Sequence, residues 1–216
     1  MSGQDHHGIT IGNKKNYFIK EGYIERLDNA AFDDTPCTDE YQKEVYEIAR
    51  RVADETACKT ILDIGCGSGY KLVTNFPADE FFTVGTDLPD TVDWLKMKYP
   101  DRTWMLSDFA SRLTNFDLVI CADVIEHLPD PDSLLSYIQS VAPRWIVLST
   151  PDRDILGQRY GTSDGPPRNI HHVREWNMPE FRAYISFFFR IVEQLYVSEQ
   201  NATQLVLCES KTTDSR

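Results

Sequence analysis

Five short apolar runs punctuate the chain, at 60–64, 81–86, 103–106, 117–121 and 145–149, each of a length suited to a strand buried on both faces. Around them the period changes from strand-like to helical. Tyr41, Val45, Ile48, Ala49, Val52 and Ala53 recur at helical spacing and predict a helix over 39–57, with Thr38 or Asp39 as its cap. A second helix starts after Gly69, a third spans 91–99 and is closed by Pro100, and another spans 179–188. Two last runs, 190–196 and 204–209, predict an antiparallel closing pair. Strand and helix alternate through five strands, which predicts an α/β fold: a doubly wound, mostly parallel sheet with helices on both faces.

The first run does not end in an ordinary turn. Ile61, Leu62 and Ile64 lead directly into Gly65-x-Gly67-x-Gly69 and then into a helix start, the order of a nucleotide-binding β-α-β unit. Without Cβ atoms such a turn lets backbone N–H groups come into van der Waals range of a ligand, and Gly reaches the positive φ the turn needs. A dinucleotide fingerprint spaces its third Gly one residue later, and here Asp63 stands inside the strand end. The second run ends at Asp87, a helix and a strand beyond the glycines, where such a unit sets a carboxylate beside a ligand's ribose. Leu88 follows, able to pack on a base.

The string Asp63, Gly65, Gly67, Gly69 resembles motif I, D-x-G-x-G-x-G, of the class I S-adenosylmethionine (SAM) dependent methyltransferases. Two later blocks carry the same resemblance. Asp123-Val124-Ile125-Glu126-His127 is similar to the D/E-V-I/L-E-H string after strand four of small-molecule O- and N-methyltransferases. Thr150-Pro151-Asp152-Arg153, with His172-Val173-Arg174-Glu175-Trp176 further on, resembles the segment after strand five of small-molecule and sugar methyltransferases. The resemblance implies a Rossmann-like seven-stranded sheet of order 3-2-1-4-5-7-6 with an antiparallel last strand. It implies SAM as cofactor and S-adenosylhomocysteine (SAH) as product. It also implies that Asp108 and Phe109 meet the adenine, and it adds Cys66, Ala122 and Gln42 to the cofactor-binding set of Asp63, the three glycines, Asp87 and Leu88.

Methyl transfer is an in-line displacement on an electrophile that the cofactor brings ready-made, so the protein must hold the acceptor and remove its proton. Histidine suits that proton, and three candidates stand at His127, His171 and His172. Of the adjacent pair only one faces inward in extended chain, and His172 takes the His place of H-V-R-E-W. Arg174 and Glu175 are expected to orient that loop as an ion pair. Asp123, Arg153, Arg159, Tyr160, Asn169 and Arg174 are the expected substrate contacts, with 154–168 as a substrate-facing loop. No H-E-x-x-H-like spacing supports a metal, so none is expected.

Composition narrows the acceptor. With 216 residues, 41% of them apolar, the chain can bury one sizeable core, and a net charge of −12 repels phosphate backbones and anionic lipid. Five scattered cysteines without a C-x-x-C pair fit reduced thiols in a cytoplasmic protein. The expected partner is thus a small-molecule acceptor with a hydroxyl, less readily an amine, in a sugar, nucleotide-sugar or natural product. No nucleic acid and no membrane are expected; a homodimer is one option, and the sequence leaves the oligomeric state open. The expected organisation is a tail and lid over 1–37, a methyltransferase domain over 38–210 with its cofactor core at 58–150 and substrate loop at 151–178, and a disordered tail over 211–216. Two rivals are a NAD-dependent oxidoreductase, opposed by the glycine spacing, and a non-catalytic SAM-binding subunit of a partner enzyme.

Overall fold

The computed structural model describes residues 16–161 and 163–211; the expected disordered tails fall largely outside that span. Its elements in chain order are α1 Lys43–Thr56, β1 Thr60–Ile64, α2 Tyr70–Asn75, β2 Phe82–Asp87, α3 Pro89–Lys98, β3 Thr103–Leu106, β4 Leu118–Ala122, a 3-10 turn Ile125–His127, α4 Pro131–Val141, β5 Trp145–Pro151, α5 Arg153–Tyr160, α6 Met178–Phe188, β6 Arg190–Ser198 and β7 Thr203–Glu209.

The strands form one seven-stranded sheet in the order β3-β2-β1-β4-β5-β7-β6. All neighbours through β5 are parallel, and β7 runs antiparallel to both β5 and β6. This is the Rossmann-like order the resemblance implies. Central strands β1, β4 and β5 are buried along nearly their whole length, which is why they read as unbroken apolar runs. The edge strand β6 is largely exposed and carries register shifts between Ile191 and Glu193 and between Tyr196 and Ser198, irregularities that blunt edge-to-edge pairing.

Two apolar cores flank the sheet. One joins Tyr46, Ala49, Phe76 and Leu95 to Ile61 and Ile120; the other joins Ile138, Phe181, Tyr184 and Trp176 to Leu62, Val119 and Leu148. Among the described residues no helix is long and apolar enough to cross a membrane, and all five cysteines are unpaired.

Several boundaries move for local reasons. The helix expected from 39 begins only at Lys43, because Gln42 takes a left-handed conformation (φ 56°) and Glu40 caps Thr38 N in a separate turn. Helix α3 begins at Pro89, where proline is preorganised for the first helical position, rather than at 91. The segment expected as a loop after β5 starts with a helix, α5, because the Asp152 carboxylate accepts hydrogen bonds from Asp154 N and Ile155 N at 2.8 and 3.0 Å. Helix α6 carries a full capping box between Asn177 and Glu180.

Sequence order reverses direction across the sheet between β1 and β4, so the helices that follow them leave on opposite faces and open a crevice at the carboxyl ends. Every element that carries a candidate site residue reaches that crevice from the sheet or folds over it.

Candidate active site

A cavity of about 920 Å³ fills the crevice. It is lined by Gln42, Gly65, Cys66, Asp87, Leu88, Phe109, Ala122, Asp123 and His127, and by Arg159, Tyr160, Asn169 and His172 from the side opposite the glycine turn. Residues from the segment between Asn29 and Gln42 close one wall, with Phe32, Asp34 and Tyr41 among them.

The glycine turn is built for close approach. Gly65, Gly67 and Gly69 all have φ between 52° and 74°, a region costly for residues with a Cβ. A Cβ at Gly67 would fall 1.9 Å from Asp34 Oδ2, and one at Gly65 would fall 2.4 Å from Val124 Cγ2. Gly67 N donates to Asp87 Oδ2 at 2.8 Å and Leu88 N donates to Asp87 Oδ1 at 2.7 Å, so the carboxylate at the end of β2 is clamped in place.

Around this turn stand three carboxyl groups. Asp63 accepts a hydrogen bond from Tyr46 Oη at 2.8 Å through Oδ2, while its Oδ1 is buried without a partner. Burial pushes Asp63 up to about 7 and Asp34 up to about 6; Asp87 adds to both through its charge, and Lys71 opposes both. Asp34 and Asp87 line the cavity, and Asp63, fully buried with one unpartnered oxygen, adds its charge from outside the lining; this acidic surround favours a cationic ligand.

A second group lies across the cavity. Ligand atoms of Glu126, His127 and His172 all fall within 4.8 Å of one another. Glu126 is fully buried: Oε2 accepts from Thr150 Oγ1 at 3.1 Å, Oε1 has no partner, and burial together with Asp123's charge holds the carboxyl well above its usual range. His127 Nδ1 lies 2.8 Å from the His171 carbonyl; a carbonyl only accepts, so Nδ1 carries the proton and Nε2 offers a lone pair, 3.9 Å from Glu126 Oε1. Burial, with His172 close by, pushes His127 down to about 4. His172 Nδ1 donates to Glu175 Oε1 at 2.8 Å, and His172 Nε2 accepts from Asn169 Nδ2 at 2.9 Å. Asp123, left-handed at φ 53°, accepts from Ser149 Oγ at 2.6 Å and also bonds the Gln42 side chain.

A family model described as a methyltransferase domain matches residues 39–193. The chain belongs to that methyltransferase family. As a class I SAM-dependent methyltransferase domain it takes SAM as cofactor, which sets aside the nicotinamide reading. It is 29% identical over 168 residues to the small RNA 2′-O-methyltransferase of Rattus norvegicus, covering 67% of this chain and 41% of that protein, and 27% identical over 168 residues to the Mus musculus protein of the same name, covering 66% and 41%. The methyltransferase thus spans less than half the length of these curated relatives. Among solved structures, magnesium protoporphyrin IX methyltransferase from Synechocystis PCC 6803 with bound SAH shares the fold at a TM-score of 0.62, with 18% identity over 79% of this chain and 84% of that one. The methyltransferase domain of bacterial CtHen1-C does so at 0.61, with 19% identity over 78% and 98%.

Several expected site residues lie elsewhere in this methyltransferase. Arg153, expected to touch substrate, is buried and paired with Glu180, Nη1 to Oε2 at 2.6 Å. Arg174 is buried too. It pairs with Glu25 rather than Glu175 and donates to the Leu128 and Pro129 carbonyls, stapling the segment around residues 17–25 to the turn after His127. Glu175 is taken instead by His172. Asp108, expected at the adenine, accepts from Ala110 N, Ser111 N and Ser111 Oγ and so closes its own turn outside the cavity lining. His171 is half-buried outside the cavity lining, with Nδ1 donating to the Ala30 carbonyl. Sequence reasoning gave no role to Glu126, Asp34, Tyr46 or Lys71. Glu126 alone had a signal, its place in the D-V-I-E-H string.

Proposed function

We propose that the protein is an O-methyltransferase acting on a sugar hydroxyl, with a divalent cation held by Glu126, His127 and His172 beside the cofactor. The observation that carries this reading is the grouping of those three ligand atoms in the cavity that the glycine turn also lines. Two imidazoles and a buried carboxylate suit a first-row divalent ion better than Mg²⁺ or Ca²⁺. Glu126 Oε1, buried and unpartnered, is a donor of the right kind; Glu175 behind His172 fixes that ring's tautomer, as a carboxylate behind a ligating histidine does, and the Nε2 lone pair, which here accepts from Asn169 Nδ2, passes to the ion when Asn169 gives it up. A bound divalent ion lowers the pKa of a hydroxyl that it contacts.

Glu126, His127 and His172 then orient the acceptor oxygen, and Asp123, held by Ser149 and lining the same cavity, is the carboxylate that takes part in removing its proton. SAM supplies the electrophilic methyl group. Asp63, Asp87 and the backbone of Gly65 to Gly69 are the residues proposed to hold it, and the acidic surround of Asp34 and Asp63 favours its positive charge.

A second reading has its own support. The curated relatives are named small RNA 2′-O-methyltransferases, so the sugar hydroxyl could belong to an RNA end rather than a small metabolite. The chain's net charge of −12 opposes that reading and favours a small acceptor. A methyl-transfer assay over nucleosides, nucleotide sugars and short RNA, each with Mn²⁺ or with a chelator, tests both. Cation-dependent transfer to a sugar oxygen is the expected result; transfer to nitrogen, or a rate indifferent to chelation, rejects the proposal. SAH binding without turnover on any acceptor favours the accessory-subunit rival.

A further inference from the structure

Arg159, Tyr160 and Arg168 line the cavity on the side away from the glycine turn. Arg168 Cζ sits 4.3 Å from the centroid of the Tyr160 ring, so the ring face holds the guanidinium. Neither arginine pairs with a carboxylate among the described residues. Arg159 donates to the Glu199 and Gln200 carbonyls, which fix its position without cancelling its charge. Arg168 has no hydrogen-bond partner among them, yet its neighbours are anchored: the Pro167 carbonyl accepts from Arg26 Nη2 at 2.7 Å, and Asn169 donates to His172. Arg159 and Arg168 are exposed at the cavity mouth, whereas two buried arginines on this side, Arg153 and Arg174, are neutralised by Glu180 and Glu25.

The cavity is therefore polar in charge. Its glycine-turn half carries Asp34 and Asp87 against one cation, Lys71, while this mouth carries two exposed guanidiniums on an otherwise acidic protein. We propose that Arg168, held on Tyr160 with Arg159 beside it, binds a phosphoryl group of the acceptor, so that the substrate is a phosphorylated sugar or nucleotide rather than a neutral sugar. The inference rests on the sugar-hydroxyl reading and names the substrate class at that same site. A guanidinium fork matches phosphate oxygens bidentately, and a planar stack keeps the fork preorganised. Asn169 is adjacent in sequence to Arg168 and bonded to His172, so a phosphoryl group gripped by Arg168 fixes how the rest of the sugar meets the catalytic histidine's side of the cavity.

Calorimetric titration of the full chain, saturated with SAH, against uridine 5′-monophosphate and uridine tests this. The monophosphate is expected to bind about tenfold tighter than the nucleoside, Arg168→Gln to bring that ratio close to one, and Arg168→Lys to restore part of it. SAH affinity stays unchanged in both variants, which shows that they fold. A ratio near one in the native protein, no binding of the monophosphate, or a ratio that survives Arg168→Gln overturns the proposal. A short RNA with a free 3′ end forms a second arm: an Arg168-dependent gain there and not with the monophosphate makes an RNA end the source of the phosphate, and overturns the small-nucleotide form of the proposal. The two readings fail separately. Cation-dependent methylation of sugar hydroxyls with equal affinity for phosphorylated and plain acceptors rejects only this inference, whereas an Arg168-dependent phosphate preference without methylation of any sugar oxygen rejects only the proposed function.

Discussion

Glu175 Oε1 lies 2.8 Å from His172 Nδ1, both residues buried, so the carboxylate sets the tautomer and the tilt of the ring. An imidazole left to rotate would present Nδ1 or Nε2 at random; one held this way keeps Nδ1 for Glu175 and leaves the lone pair on Nε2, where it accepts from Asn169 Nδ2 and is the one able to ligate.

That relationship predicts the effect of Glu175→Gln. Mn²⁺ affinity should fall by about 10- to 100-fold, as for other outer-shell partners of a metal ligand, with SAH affinity unchanged. Parallel titrations of the variant with Mn²⁺ and SAH give both numbers. Equal losses for the two ligands would mean that Glu175 merely supports the fold.

Cofactor binding should depend on pH through Asp63. Burial raises its folded pKa to about 7, above the ordinary carboxylate value, so the neutral form is favoured in the empty protein. For stability the sign is direct: between the unfolded value near 4 and the folded value near 7 the folded state binds the extra proton, so this group's contribution is full below about pH 4 and is lost as pH rises through 7. A cationic ligand favours the ionised form, so SAM affinity should rise from pH 5.5 to 7.5 and level off above, with proton release on binding at the low end. Tyr46→Phe removes the hydrogen bond that lowers this pKa and should move the midpoint higher. Calorimetry in buffers of different ionisation enthalpy counts the protons; affinity independent of pH would refute this role.

Buried Arg153 pairs with the half-buried Glu180 away from the chemistry. Arg153→Ala removes the charged partner of Glu180, a half-buried side chain that keeps the Lys20 and Asn177 backbone donors, and should destabilise the fold by about 1.5–3 kcal/mol. Urea unfolding gives the cost. At temperatures where the variant is folded, the acceptor KM should match the native protein's, contrary to a substrate-binding role.

Gly67→Ala puts a Cβ at φ +52° and 1.9 Å from Asp34 Oδ2. SAH binding should be lost, and Asp34→Ala in the same chain should relieve the clash without restoring full affinity, because the turn itself remains strained. Full recovery in the double variant would assign the whole defect to Asp34.

The fold, the glycine turn and the place of Asp87 were legible in the sequence because they rest on local pattern, whereas Asp108, expected at the adenine, turns back on Ala110 and Ser111. Apolar runs gave the strands, the glycine spacing gave the turn, and Asp87 sits where a β-α-β unit delivers it; the strand order came from the family resemblance and not from periodicity. The acceptor half was less legible. Helix α5 was hidden because Arg153 to Tyr160 has little amphipathic contrast and owes its start to a single Asp152 cap. Arg153 and Arg174 look like exposed cations in one dimension, and only the folded chain brings Glu180 and Glu25 to bury them. The Glu126, His127 and His172 group escaped spacing rules because it joins a turn after β4 to a segment after β5, and motif spacings for metals record ligands on one element.

The central claim is tested most directly by titrating Mn²⁺ into the SAH-saturated protein and into its His172→Ala variant, following the free ion's electron paramagnetic resonance signal. One tight site in the native protein, lost in the variant while SAH binding persists, is the predicted result. No Mn²⁺ binding by the native protein, or binding that the variant retains, would contradict it.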